Sequence, residues 1–198
     1  MKKELKNFYK KNKRYIYIGL VVFLICILNL IFYKPKTMFY KLMNFKDIDG
    51  LKTTEVGEYS FLESYDVHGK INKLQNSVVL GNYIGDIYYV RGKNNLNIYQ
   101  VKINTEENLD GVPVLQQIKD NMSAFEEEIN KNYDNKLINT SDELIGESNY
   151  KYDLPIEESI YKDNRVYRKT YELKGVIYHI NYYMEDEYLV CELIKFIK

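Results

Sequence analysis

An α+β fold follows from three features of the 198-residue sequence. Val-, Ile- and Tyr-rich runs occupy both ends of residues 51–198, one long apolar stripe at helical spacing lies between them, and turn residues separate the runs at hairpin intervals. The economical arrangement is an antiparallel β-sheet packed against one long helix at about 112–133. Ahead of this region, residues 15–33 carry no charge and are expected to form a single transmembrane helix.

The elements follow in chain order. Residues 1–14 hold seven basic side chains against Glu4 alone. Residues 15–33 read YIYIGLVVFLICILNLIFY; as a helix they reach roughly 29 Å, close to the hydrocarbon thickness of a bilayer. Tyr15, Tyr17, Phe32 and Tyr33 stand at its ends like an aromatic belt, and the excess of lysine before it places the N-terminus in the cytoplasm. No small-residue cleavage site follows, and Ile25 occupies the position before Cys26 where lipidation needs a small residue, so the segment reads as an uncleaved signal anchor. Asn29 lies one turn from its outer end, within reach of headgroups.

Residues 34–50 connect the anchor to the domain. Met38, Phe39, Leu42, Met43 and Phe45 recur at helical spacing, compatible either with the outer leaflet or with the domain core. The domain itself is 51–198. Strands are expected at 77–80, 84–90 and 96–104, divided by Gly81-Asn82 and by Gly92-Lys93-Asn94-Asn95, with a weaker strand within 54–66. Pro113 opens the helix, whose stripe is Val114, Leu115, Ile118, Met122, Phe125, Ile129 and Tyr133. Residues 139–148 read as a polar connection, and Tyr150, Tyr152 and Leu154 alternate like a strand up to Pro155. A meander of 166–173, 176–184 and 188–197 closes the chain, turning at Lys174-Gly175 and at Glu185-Asp186-Glu187. In its middle run His179 and Asn181 fall opposite Val176, Tyr178, Ile180, Tyr182 and Met184, on the face expected to be more exposed.

The order of strands, long helix and more strands resembles the PsbP/Mog1-like sandwich, and also the membrane-anchored NTF2-like domains of secretion machines. Neither resemblance rests on a residue motif, so each is an analogy of fold that does not fix function.

Composition needs one correction before it is read as function. There are 24 lysines against 4 arginines, 21 tyrosines, 20 asparagines and a single alanine, Ala124. An AT-rich genome, as in low-GC Firmicutes, produces that skew, so tyrosine abundance alone does not argue for a ligand. Enzyme chemistry finds few residues: His68 and His179 are the two histidines, and Cys191 is the one cysteine outside the expected span. Cys191 follows Tyr188-Leu189-Val190 with no arginine after it, unlike the cysteine of sortases, and lies in an apolar strand pattern that suits an inert thiol. Asp47-Ile48-Asp49-Gly50 lacks the further ligands of an EF-hand, and Glu126-Glu127-Glu128 diverge around a helix. Neither a cofactor nor a metal is expected. Residues 34–198 carry 21 basic and 27 acidic side chains, which disfavours nucleic acid.

What remains is surface. Tyr88-Tyr89 and Tyr182-Tyr183 each send one ring to each sheet face and are the candidate interaction surface. The expected function is a membrane-anchored, extracytoplasmic, non-enzymatic domain that binds a protein partner or its own copy, as a subunit of a secretion, conjugation or sporulation assembly. The alternative is a sensor or binding module for a small molecule or a cell-wall glycan.

Overall fold

The computed structural model describes Tyr17, residues 21–24, 53–60, 68–75, 77–91, 96–105 and 111–196. Nine strands and two helices fill the described part of the domain: β1 Thr53–Ser60, β2 His68–Leu74, β3 Val78–Leu80, β4 Tyr83–Arg91, β5 Leu96–Asn104, α1 Val114–Asn132, β6 Ile138–Ile145, α2 Ile156–Asp163, β7 Val166–Leu173, β8 Val176–Glu185 and β9 Tyr188–Phe196. The expected antiparallel sheet is therefore present, with helices, as an α+β fold. The chain divides into two units, Met1–Thr37 and Met38–Lys198. Of the expected span, Tyr17 and Val21, Val22, Phe23 and Leu24 are described, helical and exposed. The rest of 15–33, and the amphipathic stripe at 38–45, lie outside the described residues. Among the described residues, no helix is long and apolar enough to cross a membrane.

The sheet runs β1-β2-β4-β5-β9-β8-β7-β6, with β3 paired to the start of β4, and every pairing is antiparallel. The last strand thus lies between β5 and β8 and joins an N-terminal meander to a C-terminal one. Short turns set the neighbours. Lys174 and Gly175 both have positive φ, 52° and 76°, which suits the twist of a two-residue hairpin.

Both helices belong to one face. Ile118, Met122, Phe125 and Ile129 of α1 are buried against Tyr99, Val101, Leu189, Cys191, Leu193, Ile180 and Tyr182 of the central strands. The Phe125 ring stacks on Tyr99 at 6.4 Å and meets Tyr182 edge-on at 6.2 Å. Ile160 of α2 completes the same cluster.

Two glycines let the β3–β4 hairpin close over α1. Gly81 turns at φ +61°, and a Cβ there would meet the Cβ of Ala124 at 3.3 Å. The sole alanine of the chain thus lies where the hairpin tip approaches the helix. Gly85 lies so close to β5 that a Cβ would fall 2.5 Å from Val101 Cγ1 and 3.2 Å from the Lys102 carbonyl oxygen. The hairpin is fastened by Tyr83, buried, whose hydroxyl donates to Asp120 at 3.3 Å.

The strand β2 and the second helix α2 have no counterpart in the expected elements, and two further stretches fold otherwise than their pattern suggests. Residues 139–148, expected as a connection, contribute most of β6, the outer strand of the sheet, which pairs with β7. Six of its residues are exposed, so no apolar alternation marks it. A bulge between Asn139 and Ser141, followed by Asp142 and Glu143, is the usual protection of an edge against further pairing. Residues 150–154, expected to extend as a strand, form bends and loop leading into α2, with Tyr150 and Tyr152 exposed.

The close approach at Gly85 makes a prediction. Gly85→Ala is expected to lower stability by about 1–3 kcal/mol through overpacking against β5, with the urea midpoint falling and the slope of the transition unchanged.

Candidate functional site

The face of the sheet turned away from the helices carries a polar row. Register aligns Lys73, Tyr88, Gln100, Glu192, Asn181, Arg168 and Glu143 across seven neighbouring strands. At its centre the two carboxyl oxygens of Glu192 accept from Gln100 Nε2 and Asn181 Nδ2, each at 2.7 Å. Asn181 Oδ1 in turn accepts from Arg168 Nε at 2.9 Å, and the Arg168 guanidinium lies 3.8 Å from Glu143. Glu192 and Asn181 are fully buried, and Gln100 is 2% exposed. The face expected to be the more exposed is therefore buried in its middle. Alternation marks which residues share a face; it does not say how far that face is covered.

Beside this row, the ring of His179 is half-buried, 3.0 Å from the Thr170 hydroxyl and edge-on to Phe196 at 4.9 Å. Burial, with Arg168 nearby, pulls its pKa down to about 4, so the imidazole is neutral near pH 7. Cys191 lies on the opposite face, paired in register with Tyr182 beneath α1. Burial, with a smaller contribution from Glu126, pushes its thiol well above the ordinary range. The sheet separates His179 from Cys191, so they form no nucleophile–base pair. His68 begins β2, and its side chain lies outside the described residues, as do Asp47-Ile48-Asp49-Gly50.

The acidic runs are engaged in ion pairs. Glu126 accepts both contacts of Lys169, at 2.9 and 2.8 Å. Burial works against the Lys169 charge, but the hydrogen bond and field of Glu126 outweigh it and raise its pKa. Glu127 and Glu128 pair with Lys131, and Glu185 with Lys102. Among the described residues no group of three His, Cys, Asp or Glu side chains is placed to hold a metal ion.

The four candidate tyrosines divide between the faces, as their adjacency predicts, but none is an open surface ring. Tyr182 is fully buried beneath α1, its hydroxyl 3.4 Å from the Met122 carbonyl and 3.3 Å from Glu126 Oε1. Tyr183, on the other face, accepts from Gln100 Nε2 at 3.2 Å, and burial raises its pKa well above 10. Tyr88 is half-buried beneath the ammonium groups of Lys73 and Lys102, 5.6 and 5.1 Å from its ring centroid. Tyr89 packs against the helix-side core.

Among the described residues of the domain, the exposed rings are elsewhere. Tyr150, Tyr152 and Tyr161 are 45%, 76% and 42% exposed, joined by Ile156 at 36%. All four belong to α2 or the loop before it. That loop is pinned: Asn149 N–H donates to Asp163 Oδ1 at 2.8 Å, Tyr150 N–H to Ser148 Oγ at 3.2 Å, and Ser159 Oγ to the Leu154 carbonyl at 3.3 Å. The bond from Asn149 is the main reason the Asp163 carboxyl is held below its usual range. These tyrosines were hidden in the sequence because apolar spacing does not distinguish a ring that packs from one that projects.

Compared with protein-family models, curated proteins and solved structures, the chain finds no match in any of the three. The resemblances in element order are accordingly not carried beyond the fold class.

The depressed pKa of His179 predicts a pH dependence. Between pH 6.5 and about 4 the unfolded chain binds a proton that the folded imidazole refuses, so this group's contribution is complete above 6.5 and is lost as pH falls through that window. Discounted for a half-buried ring, the loss is roughly 1–2 kcal/mol. Urea midpoints across this range should fall more steeply for the native chain than for His179→Gln.

Proposed function

We propose that this chain is a single-pass, membrane-anchored, extracytoplasmic domain whose work is to bind another protein, as a subunit of a bacterial envelope assembly. The anchor and its orientation rest on the uncharged run at 15–33 and the basic residues before it. The binding role rests mainly on one observation: among the described residues of the domain, the exposed aromatic side chains are gathered on the pinned segment 150–161, which spends little entropy when it meets a partner. Among the described residues, Cys191 is packed in the core beneath α1 and His179 lies on the opposite sheet face, so the two do not combine into a nucleophile–base pair.

Exposed tyrosines also stack on sugars, so the same segment favours a second reading, the binding of cell-wall glycan. A photoreactive residue placed at Tyr152 in the full chain, in intact membranes, separates the two. The protein-binding reading expects one discrete protein adduct that a probe at the exposed turn residue Lys136 does not give. Absence of any protein adduct, together with retention of the chain on purified cell wall, would replace it with the glycan reading.

A further inference from the structure

The surface around Tyr150, Tyr152 and Tyr161 is charged as well as aromatic. Residues 147–162, which carry these rings, contain Glu147, Asp153, Glu157 and Glu158 against Lys151 and Lys162; Asp163 is buried, and Glu143 lies on the opposite sheet face beside Arg168. The stretch that presents the exposed rings of the described residues thus carries more carboxylates than cations. Of the two lysines, Lys162 is engaged by Glu158 at 2.8 Å, and Lys151 lies 6.0 Å over the Tyr152 ring.

We propose that this surface docks a lysine- or arginine-rich segment of a partner protein, a refinement that rests on the protein-binding reading above. Cationic side chains gain twice here, from the carboxylates and from the faces of the tyrosine rings. The other occupants fit less well. A second copy would bring the same excess of carboxylates against itself, and an anionic bilayer would be repelled. A bound metal is disfavoured because no three carboxylates converge among the described residues. The pinned backbone explains why rings rather than loose chain are presented: fixed tyrosines with two side-chain torsions bind at low entropic cost.

The test uses the full chain in a neutral detergent and a short peptide alternating arginine and leucine, with its glutamate counterpart and chitotetraose as comparisons. The arginine peptide should bind, and binding should weaken as salt rises. Tyr152→Ser with Tyr161→Ser, and separately Glu147→Gln with Asp153→Asn and Glu157→Gln, should each weaken it about tenfold. The same change of charge at the β8–β9 turn, Glu185→Gln with Asp186→Asn and Glu187→Gln, should leave it unaltered. Circular dichroism would confirm that each variant is folded. Equal loss in the turn variant, no loss in the tyrosine variant, or tyrosine-dependent binding of chitotetraose or of a second copy instead would overturn the proposal. A discrete protein adduct at Tyr152 without affinity for the arginine peptide would leave the protein-binding reading standing and remove the basic partner.

Discussion

The structure depends on where its last strand goes. β9 pairs along its whole length with β5, from Leu96 opposite Phe196 to Asn104 opposite Tyr188, and along its other edge with β8, from Ile177 opposite Phe196 to Glu185 opposite Tyr188. Without it the β1–β5 meander and the β6–β8 meander share no strand pairing. The core needs the same join, because α1 packs on residues from both halves: Tyr99, Val101 and Ile103 from one, Ile180 and Tyr182 from the other, with Leu189, Cys191 and Leu193 between them. Closing β5 on β9 brings together residues far apart in the chain, an entropic cost met by burying most of β9.

The polar row fixes how that strand is seated. Glu192 is fully buried in the middle of β9 and finds its amide donors in the registered positions of the two neighbours, Gln100 and Asn181. A slip by one residue would put this carboxyl among the apolar side chains beneath α1 and leave both amides without it. Buried polar groups seldom add much net stability; here their effect is to distinguish the native register from its neighbours. The row and the helix-side core therefore act on the same strand from opposite faces, one selecting the register and the other supplying most of the apolar burial.

Much of this was legible in the sequence where local physics decides the outcome. The α1 stripe, the strands at 84–90 and 96–104, and the turns at Gly81-Asn82 and Lys174-Gly175 lie close to where spacing and turn residues put them. What was not legible depends on partners distant in the chain. β6 has no apolar alternation because it is exposed, so its strand character comes from β7. Asn181 reads as a more exposed residue because nothing local shows that it meets Glu192 and Arg168 across strands. Tyr182 and Tyr152 are the same residue type in equally tyrosine-rich surroundings, yet one is fully buried and the other 76% exposed; that difference arises only when α1 lies across β8 and the loop before α2 is held away from the core.

Among the described residues, the two sheet faces and their ionisable residues are largely committed to assembling and registering the fold, while the exposed rings of Tyr150, Tyr152 and Tyr161 lie in α2 and the pinned loop before it. The claim on which the rest stands is that β9 makes the domain one cooperative unit. Native-state hydrogen exchange of the full chain, read at the amides of Val190, Cys191, Glu192 and Leu193, tests it most directly. The account predicts that these amides exchange only through global unfolding, with the same free energy and denaturant dependence as the most protected amides of β4 and β7. Exchange of β9 through a smaller opening that leaves the β1–β5 meander protected would contradict it.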